Sequence, residues 1–288
     1  MSEQQSGAVV VAVGRDPMDA ALKYAVDEAT RHRAPLRLVH VVQRLEQGSE
    51  TLPPPVDLEQ AARELLEAAT TQARRLEASL DVTTDLVDGA VVPTLVRCTQ
   101  DARVVVLQRR QLSRARRMVT RSVSSGVAAR ARVPVVSVPA RWSPVRSTED
   151  TPVVTVGIDD PGHARTVLEA AVEAARVRGA QLHVVHAWVL PGGYEGYAMS
   201  PHEEETWARR SEKELTGLLG EVETTGLEVQ TDVVHGHASE VLREQARESD
   251  LLVLGRHDPL LPLFSHLGPV ARAMLREVSC PVLLVDPS

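Results

Sequence analysis

Between Asp250 and Asp286 the chain reads DLLVLGRHDPLLPLFSHLGPVARAMLREVSCPVLLVD. An apolar strand (Leu251–Leu254) runs into Gly255, and a loop follows that closes at Gly268. A helix is expected over about Val270–Glu277, and Pro281 opens a second apolar strand. Glycines at the two ends of such a loop let the backbone approach an anion. The helix N-terminus adds free N–H groups and a partial positive charge. The chemistry these residues suit is phosphate binding. An altered version of the stretch occurs earlier, where residues 104–139 read VVVLQRRQLSRARRMVTRSVSSGVAARARVPVVSVP. One constant offset carries Leu107 to Leu254, Val123 to Val270 and Pro134 to Pro281. The chain is thus a tandem duplication whose copies differ where chemistry would sit.

Other reactive residue types lack the spacing that chemistry requires. His183 and His186 stand three apart on an expected strand and so face opposite sides. His235 and His237 flank a glycine turn and read as cleft lining. A metal needs three or four convergent ligands, so no metal site is expected. No nucleophile elbow supports a Ser-His-Asp triad, and no catalytic residue is assigned. Cys98 and Cys280 are not equivalent in the duplication and read as two unpaired thiols of a reducing compartment. The stretch from Arg109 to Arg121 is rich in arginine. Its planar forks suit phosphate, but an exposed basic loop pairing with acidic helix faces is the preferred reading. No aromatics interleave with these arginines, and the net charge is −7, so nucleic acid is not an expected partner.

The elements that must position these residues alternate strand and helix twice over. In the first copy, strands are expected at Ala8–Val13, Leu36–Val42, Thr83–Val87, Val104–Leu107 and Val135–Val138. Helices are expected from Asp16, as N-cap before Pro17, over Asp57–Leu80, over Val91–Thr99 and over Arg121–Arg132. The segment Gln43–Val56, with three consecutive prolines, reads as a loop. Ala140–Pro152 reads as a linker. The second copy repeats the order, with strands at Val153–Ile158, Gln181–Trp188, Leu227–Val234, Leu251–Leu254 and after Pro281. Its helices are Ala164–Arg178, His202–Glu223, Ala238–Arg247 and the one after Gly268. The loop Val189–Ser200 carries Tyr194 and Tyr197, as a lid or a surface. This alternation predicts an α/β protein of two doubly wound, Rossmann-like domains, each a five-stranded parallel sheet. The domains are 1–140 and 152–288, joined by 141–151. Any ligand site belongs at the carboxyl ends of the strands, where strand order reverses.

The 288 residues accommodate two such domains, and 43% of them are hydrophobic and 25% charged, ordinary values for a soluble chain. Only 2% are aromatic, so the cores must be Val, Leu and Ala. No apolar run approaches the roughly 18 residues of a membrane span, and the first residues lack a signal-peptide pattern. A cytoplasmic protein is expected, with no membrane partner.

The segments VVTVGID, QLHVVHAW, VVHGHASEVL, DLLVLGRHD and SCPVLLVDP, in this order and spacing, resemble the universal stress protein family. The resemblance covers nearly all of 152–286 and, more weakly, 8–139. It implies a two-domain stress protein. Members that bind ATP share a loop G-x2-G-x9-G-[ST] and an aspartate after the first strand. Here Asp159 matches that aspartate, Gly255 and Gly268 match the outer loop glycines, and Gly236 matches the glycine after the third strand. Asp258 replaces the second glycine and Pro269 the hydroxyl residue. At about 4 Å and an effective dielectric of about 20, Asp258 would repel phosphate by about 4 kcal/mol per unit charge. In the first copy Gln108, Gln111 and Arg121 replace all three glycines, Ser122 alone matches, and Gly14 replaces the aspartate. The resemblance therefore implies no ATP in the first domain and at most weak ATP affinity in the second. It implies a regulatory or scaffolding role and no enzyme activity. The alternative is an ATP-binding sensor that uses the second cleft. Leu260, Leu261, Leu263 and Phe264 would plug that cleft or form a docking patch. The resemblance also implies an internal pseudo-dimer through Val135–Val138 and Val282–Val285, which would protect both edges. A homodimer and protein partners of unstated identity are further expectations.

Overall fold

The computed structural model describes residues 7–43, 58–109, 123–144, 151–189, 201–256 and 267–286. The chain divides into two compact units, Met1–Trp142 and Ser143–Ser288. In the first unit the elements are β1 (Val9–Ala12), α1 (Asp19–His32), β2 (Leu36–Val42), α2 (Leu58–Leu76), β3 (Val82–Asp88), α3 (Val91–Cys98), β4 (Val104–Arg109), α4 (Val123–Ala128) and β5 (Val135–Pro139). Its strands run parallel in the order β3-β2-β1-β4-β5. The second unit contains β6 (Val153–Ile158), α5 (Arg165–Arg178), β7 (Gln181–Trp188), α6 (Pro201–Gly220), β8 (Val229–His235), α7 (Ala238–Gln245), β9 (Leu251–Gly255), α8 (Pro269–Glu277) and β10 (Val282–Val285). Its parallel order is β8-β7-β6-β9-β10. Each unit is a doubly wound sheet with its reversal of strand order beside the first strand, at β1/β4 and at β6/β9.

Continuous Val and Leu runs form the central strands because helices cover both sheet faces. Val9, Val10 and Val11 of β1 and Leu251, Leu252 and Val253 of β9 are fully buried. The edge strands β3 and β8 are half-exposed along matching patterns. The helices close the layers with small residues, such as Ala21, Ala25 and Ala29 on α1 and Ala171 and Ala175 on α5. No helix among the described residues is long and apolar enough to cross a membrane.

Several boundaries differ from the sequence expectation for local reasons. The first helix starts at Asp19, and the Met18 carbonyl accepts its first hydrogen bond, from Leu22 N. Asp16 is therefore not its cap. The Pro17 carbonyl accepts instead from Gln108 Nε2, and the Gly14 N–H approaches Met18 Sδ at 2.9 Å. Helix α2 stops at Leu76 rather than Leu80, and α6 at Gly220 rather than Glu223. After each, a glutamate captures the backbone two residues on and competes with the helix ladder. Glu77 Oε1 accepts from the Ser79 N–H and hydroxyl, and Glu223 Oε1 accepts from Thr225 N. These hydrogen bonds hold both carboxyls below their ordinary range. Helix α4 ends at Ala128, short of Arg132, where the N–H groups of Arg130 and Ala131 both turn back to the Val127 carbonyl, at 2.9 and 2.8 Å. Helix α5 begins at Arg165, after a short 3-10 turn over Pro161–His163.

Candidate functional site

The carboxyl end of β6 leads into Asp159 and Asp160. Asp160 caps the 3-10 turn, with Oδ1 accepting from Gly162 N at 2.9 Å and Oδ2 lying 2.8 Å from His163 Nδ1. The His163 contact and then the Gly162 N–H hold its carboxyl below the usual aspartate range. Asp159 is exposed, and its side chain has no hydrogen bond or ion pair among the described residues. Across the reversal of strand order, Gly255 ends β9. A Cβ there would lie 3.1 Å from Val167 Cγ2 of α5, so only a glycine leaves this crevice clear of side chain. Gly268 is the N-cap of α8 in extended geometry (φ −65°, ψ 169°), with Pro269 at the first helical position. The N–H groups of Val270 and Ala271 then lack intrahelical acceptors, and Pro269 contributes none.

Asp159, Gly255 and Gly268 thus sit at the ends of β6 and β9 or at the start of the following helix. Gly236 does not join them directly. It follows β8, two inter-strand spacings or about 10 Å from β6. Its N–H donates to the Trp188 carbonyl at 3.0 Å, and its φ is 148°. That is a junction between the ends of β7 and β8, and it recurs in the first unit, where Gly89 (φ 142°) donates to the Val42 carbonyl at 3.0 Å. The Gly236 N–H is therefore already committed. Asp258, Gln111, Arg121, Ser122, the leucine-rich residues 260–264, Tyr194 and Tyr197 lie outside the described residues.

Arg256 follows Gly255 but serves the other neighbour of β9. Its backbone N–H donates to the Val285 carbonyl at 2.7 Å, and its Nη2 lies 3.5 Å from the Leu284 carbonyl. Burial lowers the guanidinium's pKa, with Asp286 partly opposing. His235 stacks on Trp188 with ring centroids 4.4 Å apart, and its Nδ1 is 3.5 Å from Glu204 Oε1. His186 Nδ1 hydrogen-bonds the Ile158 carbonyl at 2.9 Å, fixing the strand end just before Asp159. The first unit repeats this with His40 and the Val13 carbonyl at 2.8 Å. Among the described residues no group of three or more His, Cys, Asp and Glu side chains could hold a metal. Cys98 is half-buried, Cys280 is buried, and neither is in a disulfide.

The matching crevice of the first unit is occupied by protein. Gln108, at the register position of Gly255, reaches from β4 to the start of α1. Its Nε2 donates to the Pro17 carbonyl, and its Oε1 accepts from Ala21 N at 3.4 Å. Ser124 of α4 donates to the Gln108 carbonyl at 3.2 Å. The sequence shows that a glycine is missing at 108, but the partners lie some ninety positions away, and only the fold brings them together. A groove of about 500 Å³ lies in this unit between Arg15 and the α2 residues Leu58, Ala61, Glu64, Leu65 and Ala68.

The model of the universal stress protein family matches residues 6–139 and again 152–286. The chain belongs to the universal stress protein family, in tandem two-domain form. It is 28% identical over 299 residues to universal stress protein Rv2005c of Mycobacterium tuberculosis H37Rv, covering 99% of this chain and 98% of that protein. It is 29% identical over 308 residues to universal stress protein Rv1996 of the same organism, covering 99% and 96%. Among solved structures, a universal stress protein from Archaeoglobus fulgidus DSM 4304 aligns with a TM-score of 0.70 at 17% identity, over 98% of this chain and 97% of that one. At that identity the structural likeness speaks for the fold alone.

Proposed function

We propose that this universal stress protein is a regulatory or scaffolding protein rather than a catalyst. Its first unit has no nucleotide affinity, and its second has weak affinity at most. The observation that carries the reading is the Gln108 side chain, which spans the crevice where a glycine loop would receive phosphate. In the second unit Pro269 removes one N–H from the first turn of α8, and Arg256 is held against β10. Both lower the attraction the crevice offers a phosphate chain. A second reading, an ATP-binding sensor with slow hydrolysis, is favoured by two features. Asp159 is exposed and unengaged among the described residues, and Gly255 leaves the β6/β9 crevice clear of side chain.

Heat-released small molecules from the purified protein, separated by chromatography, distinguish the two. Protein free of adenine nucleotide supports the scaffold. A stoichiometric adenine nucleotide that is lost in Asp159→Ala would replace it with the sensor.

A further inference from the structure

One face of α2 is apolar where its counterpart in the second unit is charged. The groove of about 500 Å³ in the first unit is lined by Leu58, Ala61, Leu65 and Ala68 of α2, with Arg15 and Glu64 beside them. The spacing of the four apolar residues places them on one face of the helix. That face is distinct from the one packed on β2 and β3, which buries Ala62, Leu66 and Ala73. Leu58 is 37% exposed, and Ala68 is exposed as well. The next residue on the groove face, Gln72, donates to Asp19 Oδ1 at 2.6 Å and ties α2 to the start of α1.

The second unit treats the matching place differently. Ser211 and Leu215 are its buried equivalents of Ala62 and Leu66. That alignment puts Trp207, Arg210 and Glu214 at the positions of Leu58, Ala61 and Leu65. Arg210 lies over the Trp207 ring, 5.6 Å from its centroid, and its Nε donates to Glu214 Oε1 at 3.0 Å. The 3-10 turn Pro161–His163 also packs against α6. The first unit has only a bend at Arg15 and Asp16 in place of that turn. The apolar face is thus a property of the first unit and not of the shared frame.

The groove volume falls within the roughly 300–1,000 Å³ of small-molecule sites, which often lie between helices. Its apolar lining is aliphatic, with no aromatic ring among the described residues, and so suits an alkyl body. The charges around it are engaged, with one exception. Glu64 accepts from Gln60 Nε2 at 3.0 Å, Asp19 accepts from Gln72, and Asp16 is engaged as well. Arg15 is exposed and has no ion pair among the described residues. A guanidinium at the edge of an apolar groove recognises a planar anion through its fork. The Glu64 charge in the lining weighs against a doubly charged anion such as a phosphate monoester. We propose that the groove binds a free alkyl monocarboxylate, with the chain along the α2 face and the carboxylate on Arg15.

The test is a titration of the intact protein with sodium decanoate, following the backbone amide resonances of Ala61 and Ala62. Decyltrimethylammonium, of equal chain and opposite charge, is the control. The expected result is a saturable shift at one site with decanoate and a much weaker response to the cation. Octanoate, shorter by two methylenes, should bind roughly tenfold more weakly, since each buried methylene adds to affinity. Arg15→Gln should weaken decanoate roughly tenfold or more, as hydrogen bonds between charged groups contribute on that scale. Leu65→Glu should abolish binding. Should that variant fail to fold, Ala68→Glu places the same charge on the groove face at an exposed position and should weaken decanoate at least tenfold. No saturable shift, equal or tighter binding of the cation, equal affinity for octanoate, or decanoate affinity unchanged in Arg15→Gln or Ala68→Glu would overturn the site.

Discussion

The two units are built alike wherever the backbone must be held and differ wherever a ligand could enter. Both hold the carboxyl end of the first strand with a histidine on a backbone carbonyl, His40 on Val13 just past β1 and His186 on Ile158 at the end of β6. Both join the ends of their second and third strands through a glycine of positive φ. Both end a long helix with a glutamate that turns back on the chain. The carboxyl ends then diverge, with Gln108 filling one crevice and Gly255 clearing the other. The amino ends satisfy their acceptors differently: Arg37 donates to Asp85 and to the Cys98 carbonyl, whereas His183 pairs with Asp232 and the Gln245 carbonyl accepts from Ser249 Oγ and Glu248 N. Duplication has left the first unit with a filled carboxyl-end crevice and the second with a clear one. A side chain that fills its own site stabilises its unit but removes the site.

If the frames are equivalent, equal truncations of the two cores must cost alike. Leu36 is the first residue of β2 and Leu182 the second of β7, and both are fully buried. Leu36→Ala and Leu182→Ala should each destabilise by about 2–5 kcal/mol in denaturant unfolding. A large difference between them would break the comparison.

The glycine junctions sharpen it. Gly89→Ala and Gly236→Ala both force a side chain into a glycine-only region, at about 1–3 kcal/mol each. The first should cost more, because its Cβ would lie 2.6 Å from Thr94 Oγ1, whereas that of Gly236 meets nothing nearer than Val241 Cγ2 at 3.5 Å.

Smaller effects come from the C-caps of α1 and α5. Arg33 adopts a left-handed conformation (φ 49°), and Gly179 does so at the matching place (φ 58°). Arg33→Gly should raise stability by about 1 kcal/mol or less, since left-handed backbone strains a residue with a Cβ, and Gly179→Ala should lower it. Thermal unfolding of both variants checks the opposite signs.

The smallest effect belongs to Asp160, whose counterpart turn in the first unit is braced by Met18 instead. Because its folded pKa is depressed, first by His163 and then by Gly162, its contribution is fully present above the unfolded value. It is lost as pH falls through the folded value. An amide-shift titration of Gly162 should show an inflection below the ordinary aspartate range, absent in Asp160→Asn.

Much of this was legible in the sequence, because unbroken Val and Leu runs must be central strands and a constant offset must be a duplication. Asp159, Gly255 and Gly268 were also legible, as an aspartate and glycines at strand and helix ends. Gly236 was placed correctly but its N–H proved to be spent on Trp188, which no local pattern reveals. The reach of Gln108 to Pro17 and Ala21, and of Arg37 to Cys98, depends on residues far apart in the chain. Side-chain length decides whether a crevice is filled, and that emerges only when the strands stand side by side. The start of α1 was misplaced for the same reason, since a distant glutamine takes the Pro17 carbonyl.

The most direct test of the central contrast is calorimetric titration of ATP with Mg²⁺ into the intact protein, beside Asp159→Ala and Gly255→Gln. The account predicts no binding at micromolar concentration, and any weak millimolar heat should vanish in both variants. Micromolar binding would contradict it, and if that binding survived both substitutions or showed two sites per chain, nucleotide would be entering the crevice that Gln108 fills.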